Sequence, residues 1–176
     1  MYVEKGSKVN REHFKRNTKF GKLNLMVFGV ITYKGVGQIE GVDVKLDGKK
    51  YKRLLEDAIY GSCDKYDLNP QKIVFVQDNE PCHKAKMVME WFGYNRINVL
   101  DWPPQSPDMN IIENVWGVLN NKVLLRYGEI KSETDLWRVI QEEWYKIDLS
   151  YIQHLYRGYT SRLEELKRQD FDVTKY

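Results

Sequence analysis

The stretch VFVQDNEPCHKA, residues 74–85, decides how this chain is read. An apolar run climbs to Gln77 and stops at Asp78. Helix-prone residues resume only after Pro81. Counted from Lys72, the run KIVFVQ is short, continuous and β-branched, the pattern of a strand covered on both faces. Side chains at the carboxyl ends of strands in an open α/β sheet point into a crevice from a rigid base, which is where ligands collect. Two readings therefore fit Asp78: a ligand-bearing carboxylate, or a cap or turn aspartate opening the segment toward a helix at 83–92.

Upstream of this stretch, LNLMVFGVITY (23–33) and the glycines of KGVG predict a β-hairpin whose second strand spans Gln38 to Val44. From Asp47, a candidate N-cap, the period changes. Tyr51, Leu54, Leu55, Ala58 and Ile59 fall on one helical face. Downstream, INVL (97–100) is another short strand and DWPPQSPDMN (101–110) a proline-rich loop leaving the sheet. Ile112, Val115, Trp116 and Leu119 then make a helical stripe, and two more helices follow. In the last of them Ile152, Leu155, Tyr156, Tyr159, Leu163 and Leu166 keep the period. The predicted order is β-β-α-β-α-β-α-α-α, a mixed α/β fold without internal repeats.

The 176 residues suit one domain with a substantial core. The net charge of +3 is mildly basic, and its placement is more informative than its size. Lys5, Lys8, Arg11, Lys15, Arg16, Lys19 and Lys22 crowd the amino-terminal segment, opposed only by Glu4 and Glu12. That segment suits a DNA phosphate backbone and equally suits a solvated basic loop. Cys63 and Cys82 do not form a paired framework, so reduced thiols in an intracellular compartment are expected. No apolar run reaches membrane-spanning length, and no signal peptide is expected.

A second carboxylate, Glu113 in NIIENVWGVLNN (110–121), lies off the apolar line of its helix. It shares a flank with Asn110, Gly117 and Asn120. An exposed surface glutamate is the plain reading of that position, and Asp78 together with the intervening loop is what makes it a candidate. His83 is expected at a helix start with its hydrogen bonds satisfied locally. Cys82 lacks the partners a zinc site needs. Asp108 reads as a loop-shaping residue, while Trp102, Pro103 and Pro104 stiffen the loop ahead of Glu113.

QDNEPCH followed by DWPPQSPDMNIIENVW resembles the DDE-type catalytic domain of Tc1/mariner-family transposases. In those enzymes an aspartate closes a strand and an acidic residue follows a WPPxSPDxNxIExxW signature. The stretch between Asp78 and Glu113, positions 79–112, has the length characteristic of the Tc1 branch. MVFGVITYKGVGQIEGVDVKLDGKKYKRLLEDAI (26–59) also resembles that family's hairpin and first helix.

The resemblance implies an RNase H-like fold and cleavage and joining of DNA with Mg²⁺ or Mn²⁺. Asp78 and Glu113 would be the second and third of three catalytic, metal-binding carboxylates. It further implies DNA as partner, a nuclear setting, and room for a homo-oligomer. The family's first aspartate stands on a strand ahead of the hairpin, whereas no aspartate precedes Asp43 here, and Asp43 falls on the wrong element. The expectation is thus an N-terminally truncated core whose central first strand is missing, YVEK (2–5) being its nearest remnant, with weak metal binding and impaired catalysis. The expected organisation is a basic segment at 1–22, a partial core at 23–126, and C-terminal helices packing on it at 127–176. The rival reading is a decayed or reused DNA-binding or protein-interaction module without catalysis.

Overall fold

A computed structural model of the chain describes residues 18–20, 23–42, 46–101 and 110–168. Its first sheet has the order β1-β2-β3, with β1 at Thr18–Phe20, β2 at Leu23–Thr32 and β3 at Gly35–Val42. All pairs are antiparallel. The β2–β3 hairpin turns at Tyr33 and Lys34, and Gly35 enters β3 at φ +133°, a conformation that side chains rarely adopt. Its second strand thus starts earlier than the sequence pattern indicates, and residues 43 and 44 of the expected strand lie outside the described residues. A register shift between Gly29 and Ile31 marks a bulge.

Helix α1 (Gly48–Tyr66) starts as expected: Asp47 accepts a hydrogen bond from Lys50 N at 2.8 Å. Tyr51, Leu55, Ala58 and Ile59 are buried, and Leu54 alone of the predicted face is half-buried. A short 3₁₀ turn leads to β4, which is only Val74–Phe75 and pairs in parallel with β5 (Asn98–Val99). Helix α2 (Lys86–Tyr94) lies between them. The expectation of a strand covered on both faces is corrected here. Val74 is 56% exposed and Val76 39%, because so short a partner strand supports only a short ladder and no described element covers that side.

Helices α3 (Ile112–Leu125), α4 (Glu133–Tyr145) and α5 (Leu149–Arg168) complete the described residues. They pack on one face of the first sheet. Val36 and Ile39 of β3 join Val115 and Leu119 of α3, Val139 and Trp144 of α4, and Ile152 of α5 in one core. A second core holds Tyr51, Leu55 and Ile59 of α1 with Val88, Trp91 and Phe92 of α2, and Phe75 of β4 packs on it. Strand β2 serves both, sending Leu25, Val27 and Ile31 to the first core and Phe28 to the second. The result is helices on both sides of a sheet. One long-range hydrogen bond fastens α4 down: Trp144, with no exposed surface, donates Nε1–H to Gly37 O at 2.9 Å.

Among the described residues β4 pairs with β5 alone, so the two sheets share no ladder. YVEK, Asp43 and the loop at 102–109 lie outside the described residues.

Candidate active site

The chain leaves β4 at Phe75, whose carbonyl accepts from Leu100 N at 2.9 Å, and runs through Val76 and Gln77 to Asp78. Asp78 Oδ1 then accepts from Glu80 N at 3.1 Å, an Asx-type turn that reverses the chain toward Pro81. Glu80 O in turn accepts from His83 N and Lys84 N. Helix formation is deferred to Lys86, so His83 stands in a turn and not at a helix start. The turn role expected of Asp78 is thus carried by one oxygen of its side chain.

The turn folds His83 back over Asp78. Nδ1 of His83 lies 2.6 Å from Asp78 Oδ1, with the two side chains only 16% and 13% exposed. The imidazole Nδ1 has no aligned hydrogen-bond partner, so this approach is a close contact of the two groups, and the locally hydrogen-bonded ring expected of His83 is corrected. The ring stacks on Tyr51 with centroids 4.0 Å apart and planes at 26°. Tyr51 donates its hydroxyl to Gln77 Oε1 at 2.8 Å, and Gln77 Nε2 donates to His83 O at 3.3 Å. Burial, then the negative charge of Asp78, then Cys82, push the Tyr51 hydroxyl well above the usual tyrosine range. At neutral pH it remains a donor.

Both described contacts of Asp78 fall on Oδ1. Glu113 stands in the first turn of α3, half-buried, its N–H bonded to Asn110 O at 3.1 Å. A carboxylate there is favoured by the helix dipole. The described contacts of Asp78 do not reach Glu113, and no group of three or more His, Cys, Asp or Glu side chains able to hold a metal occurs among the described residues. In kind the two carboxylates fit Mg²⁺ or Mn²⁺, since Mg²⁺ is commonly held by one or two carboxylates with waters and substrate phosphates completing the shell.

Cys82 is half-buried against the α1–α2 core. Of the seven basic candidates, Lys19 lies on β1; Lys5, Lys8, Arg11, Lys15, Arg16 and Lys22 fall outside the described residues. So do Trp102, Pro103, Pro104 and Asp108. A cavity of about 620 Å³ lined by Tyr60, Gln71, Tyr94 and Arg96 opens near the amino-terminal ends of β4 and β5, and neither carboxylate lines it. No described helix is long and apolar enough to cross a membrane. Tyr51 and Gln77 are the residues that sequence reasoning misses. In the sequence Tyr51 counts only as a core position and Gln77 only as a strand end.

Comparisons with known proteins meet this geometry. Residues 1–137 match the DDE superfamily endonuclease family. The chain is 31% identical over 157 residues to the Tc3 transposase of Caenorhabditis elegans, covering 89% of this chain and 47% of that protein. It is 29% identical over 173 residues to the Tc1 transposase of the same organism, covering 97% and 61%. It thus spans about half the length of these curated relatives. Among solved structures, the Mos1 transposase paired-end complex with left transposon end superposes at TM-score 0.72, 18% identity, over 97% of this chain and 49% of that one. The Mos1 transposase catalytic domain with Raltegravir and Mg superposes at 0.66, also 18% identical, over 84% and 75%. The shared fold is the RNase H-like one.

Proposed function

Since the chain belongs to the DDE superfamily endonucleases and is a transposase catalytic domain of the Tc1/mariner kind, we propose that its chemistry is divalent-metal-dependent cleavage and joining of DNA. The observation that carries the proposal is Asp78: a carboxylate at the exit of β4 with one oxygen anchored and the other available, separated by positions 79–112 from Glu113 on α3.

Asp78 and Glu113 would hold Mg²⁺ or Mn²⁺ through hard carboxylate oxygens. Cations held there would supply charge stabilisation to the attacking and leaving oxygens of a displacement at phosphorus. The protein's own task is orientation: Asp78 presents Oδ2 from a turn locked by its own Oδ1, and Glu113 presents its carboxylate from the first turn of a helix seated on the main core. The basic residues from Lys5 to Lys22 supply the charge to follow the DNA backbone. Asp78 and Glu113 are two of the three carboxylates that the resemblance implies, and a third ligand would complete the set.

The test is Mn²⁺ titration of the chain and of Asp78→Asn with a labelled duplex present. Changing a residue behind a metal ligand commonly costs 10–100-fold in affinity, so loss of the ligand itself should cost at least roughly 100-fold, and any cleavage should vanish with it. DNA binding that ignores Mn²⁺ and Asp78 alike, weakening only with salt, would overturn the proposal in favour of a binding module.

A further inference from the structure

A carboxylate on its own is a poorly aimed ligand, because the terminal torsion of aspartate is broad and roughly two-fold. Asp78 is not on its own. Oδ1 accepts the Glu80 N–H at 3.1 Å, and His83 Nδ1 stands 2.6 Å from the same oxygen. These two neighbours narrow the rotation of the carboxylate and thereby the direction of Oδ2. His83 is in turn held at both its backbone and its ring. Gln77 Nε2 grips its carbonyl at 3.3 Å, and Tyr51 stacks on the imidazole at 4.0 Å. Tyr51 is 1% exposed, wedged edge-on against Phe28 at 5.9 Å and bonded to Gln77 at 2.8 Å. The contacts among Tyr51, Gln77 and His83 close on themselves, with Asp78 reached through His83, and they are rooted in α1, which contributes no carboxylate to the site.

We infer that His83, braced by Tyr51, is a positioning residue that sets Oδ2 of Asp78 for the divalent cation. The inference rests on the reading of Asp78 as a metal ligand and adds to it the residue that decides how well the ligand is aimed. Groups that orient metal ligands from behind typically control affinity by 10–100-fold. The nitrogen that matters is Nδ1. Asparagine places its amide nitrogen close to the position of Nδ1, whereas glutamine reaches toward that of Nε2, so the two substitutions separate the contact from mere polarity.

Mn²⁺ affinity is measured by calorimetry and by electron paramagnetic resonance of the free ion on the full chain with a short duplex present, beside the melting temperature of each variant. His83→Gln should weaken Mn²⁺ binding at least about tenfold, while His83→Asn stays within about threefold of the parent. Tyr51→Phe, which keeps the stack and removes the bond to Gln77, should fall between them. Equal Mn²⁺ affinity in parent, His83→Gln and Tyr51→Phe, with Asp78→Asn still losing the ion, would overturn the positioning role and leave the metal reading standing. Mn²⁺ bound equally by parent and Asp78→Asn, or not bound by the parent, would overturn the metal reading and this inference with it. A melting temperature that drops in His83→Asn as much as in His83→Gln, with affinity following it, would make His83 a packing residue only.

Discussion

Asp78 carries a turn on Oδ1 and, in the proposed function, a cation on Oδ2, so the two roles can be separated by chemistry. Asparagine keeps an oxygen that can accept from Glu80 N. Asp78→Asn, which keeps the acceptor of the turn, should therefore cost less than Asp78→Ala, which should cost about 1 kcal/mol by leaving that N–H without its acceptor. Urea unfolding of the two variants decides this; equal losses would mean the turn does not depend on the oxygen. Gly29 is constrained in a different way. A Cβ there would stand 2.7 Å from Cη2 of Trp116, which stacks on Trp144 at 5.0 Å and cannot withdraw without disturbing a fully buried ring. Gly29→Ala should cost about 1–3 kcal/mol by overpacking, and a neutral result in the same assay would show that Trp116 yields.

Helix α4 is fixed at its start by a capping box, with Ser132 accepting from Asp135 N at 3.1 Å and Asp135 accepting from Ser132 N at 3.0 Å. Near its end Glu143 receives Arg126 at 2.9 Å and Lys146 at 3.0 Å, tying α4 to the end of α3. Burial pushes the Glu143 carboxyl up, but the hydrogen bonds from Lys146 and Arg126 and their charges outweigh it and hold it below the usual range. Ser132 first, then the Lys131 N–H, lower Asp135 in the same sense. A carboxyl depressed on folding contributes stability above its unfolded value, and that stability is lost as pH falls through the folded one. Acid unfolding should therefore steepen below about pH 4.5, the ordinary glutamate value, and Glu143→Gln should flatten that limb; an unchanged pH profile would detach the network from stability. The helices of this chain are readable in the sequence because their stripes follow the helical period, as in Tyr51 to Ile59 or Ile112 to Leu119. Strand β1 is not: Thr18–Phe20 sits in a basic stretch and is strand only because it folds back on Leu23–Leu25. The apolar run at 72–77 misleads in the other direction, since ladder length depends on a partner distant in sequence, Val74 facing Asn98. For the same reason Asp78 and Glu113 are legible as spaced carboxylates, while the contact of His83 with Tyr51, from another element, is not.

At the scale of the whole molecule two cores meet at β2, and they are unequally built. The first combines the long β2–β3 ladder with three helices and the Trp144–Gly37 bond. The second encloses the site's support, with Tyr51 and Phe92 fully buried, yet its strands contribute only the Val74↔Asn98 and Phe75↔Val99 pairs, and Val74 is open to solvent. Local opening follows contact density and hydrogen-bond exposure, so the β4–α2–β5 unit should open at lower free energy than β2, β3 and α4. Native-state hydrogen exchange should show the Val99 and Leu100 amides exchanging at least about tenfold faster than those of Val27 and Ile39, a gap of about 1.4 kcal/mol. Phe92→Ala, a cavity worth about 3–5 kcal/mol, should widen that gap, with exchange accelerating in α2 and β5 before it does in β3 and α4. Because Asp78 follows β4 and His83 precedes α2, the same substitution should loosen the aim of Oδ2 and weaken Mn²⁺ binding while the first core stays closed. Uniform acceleration across both cores would mean that β2 couples them into one cooperative unit, and that the site is as stable as the molecule that carries it.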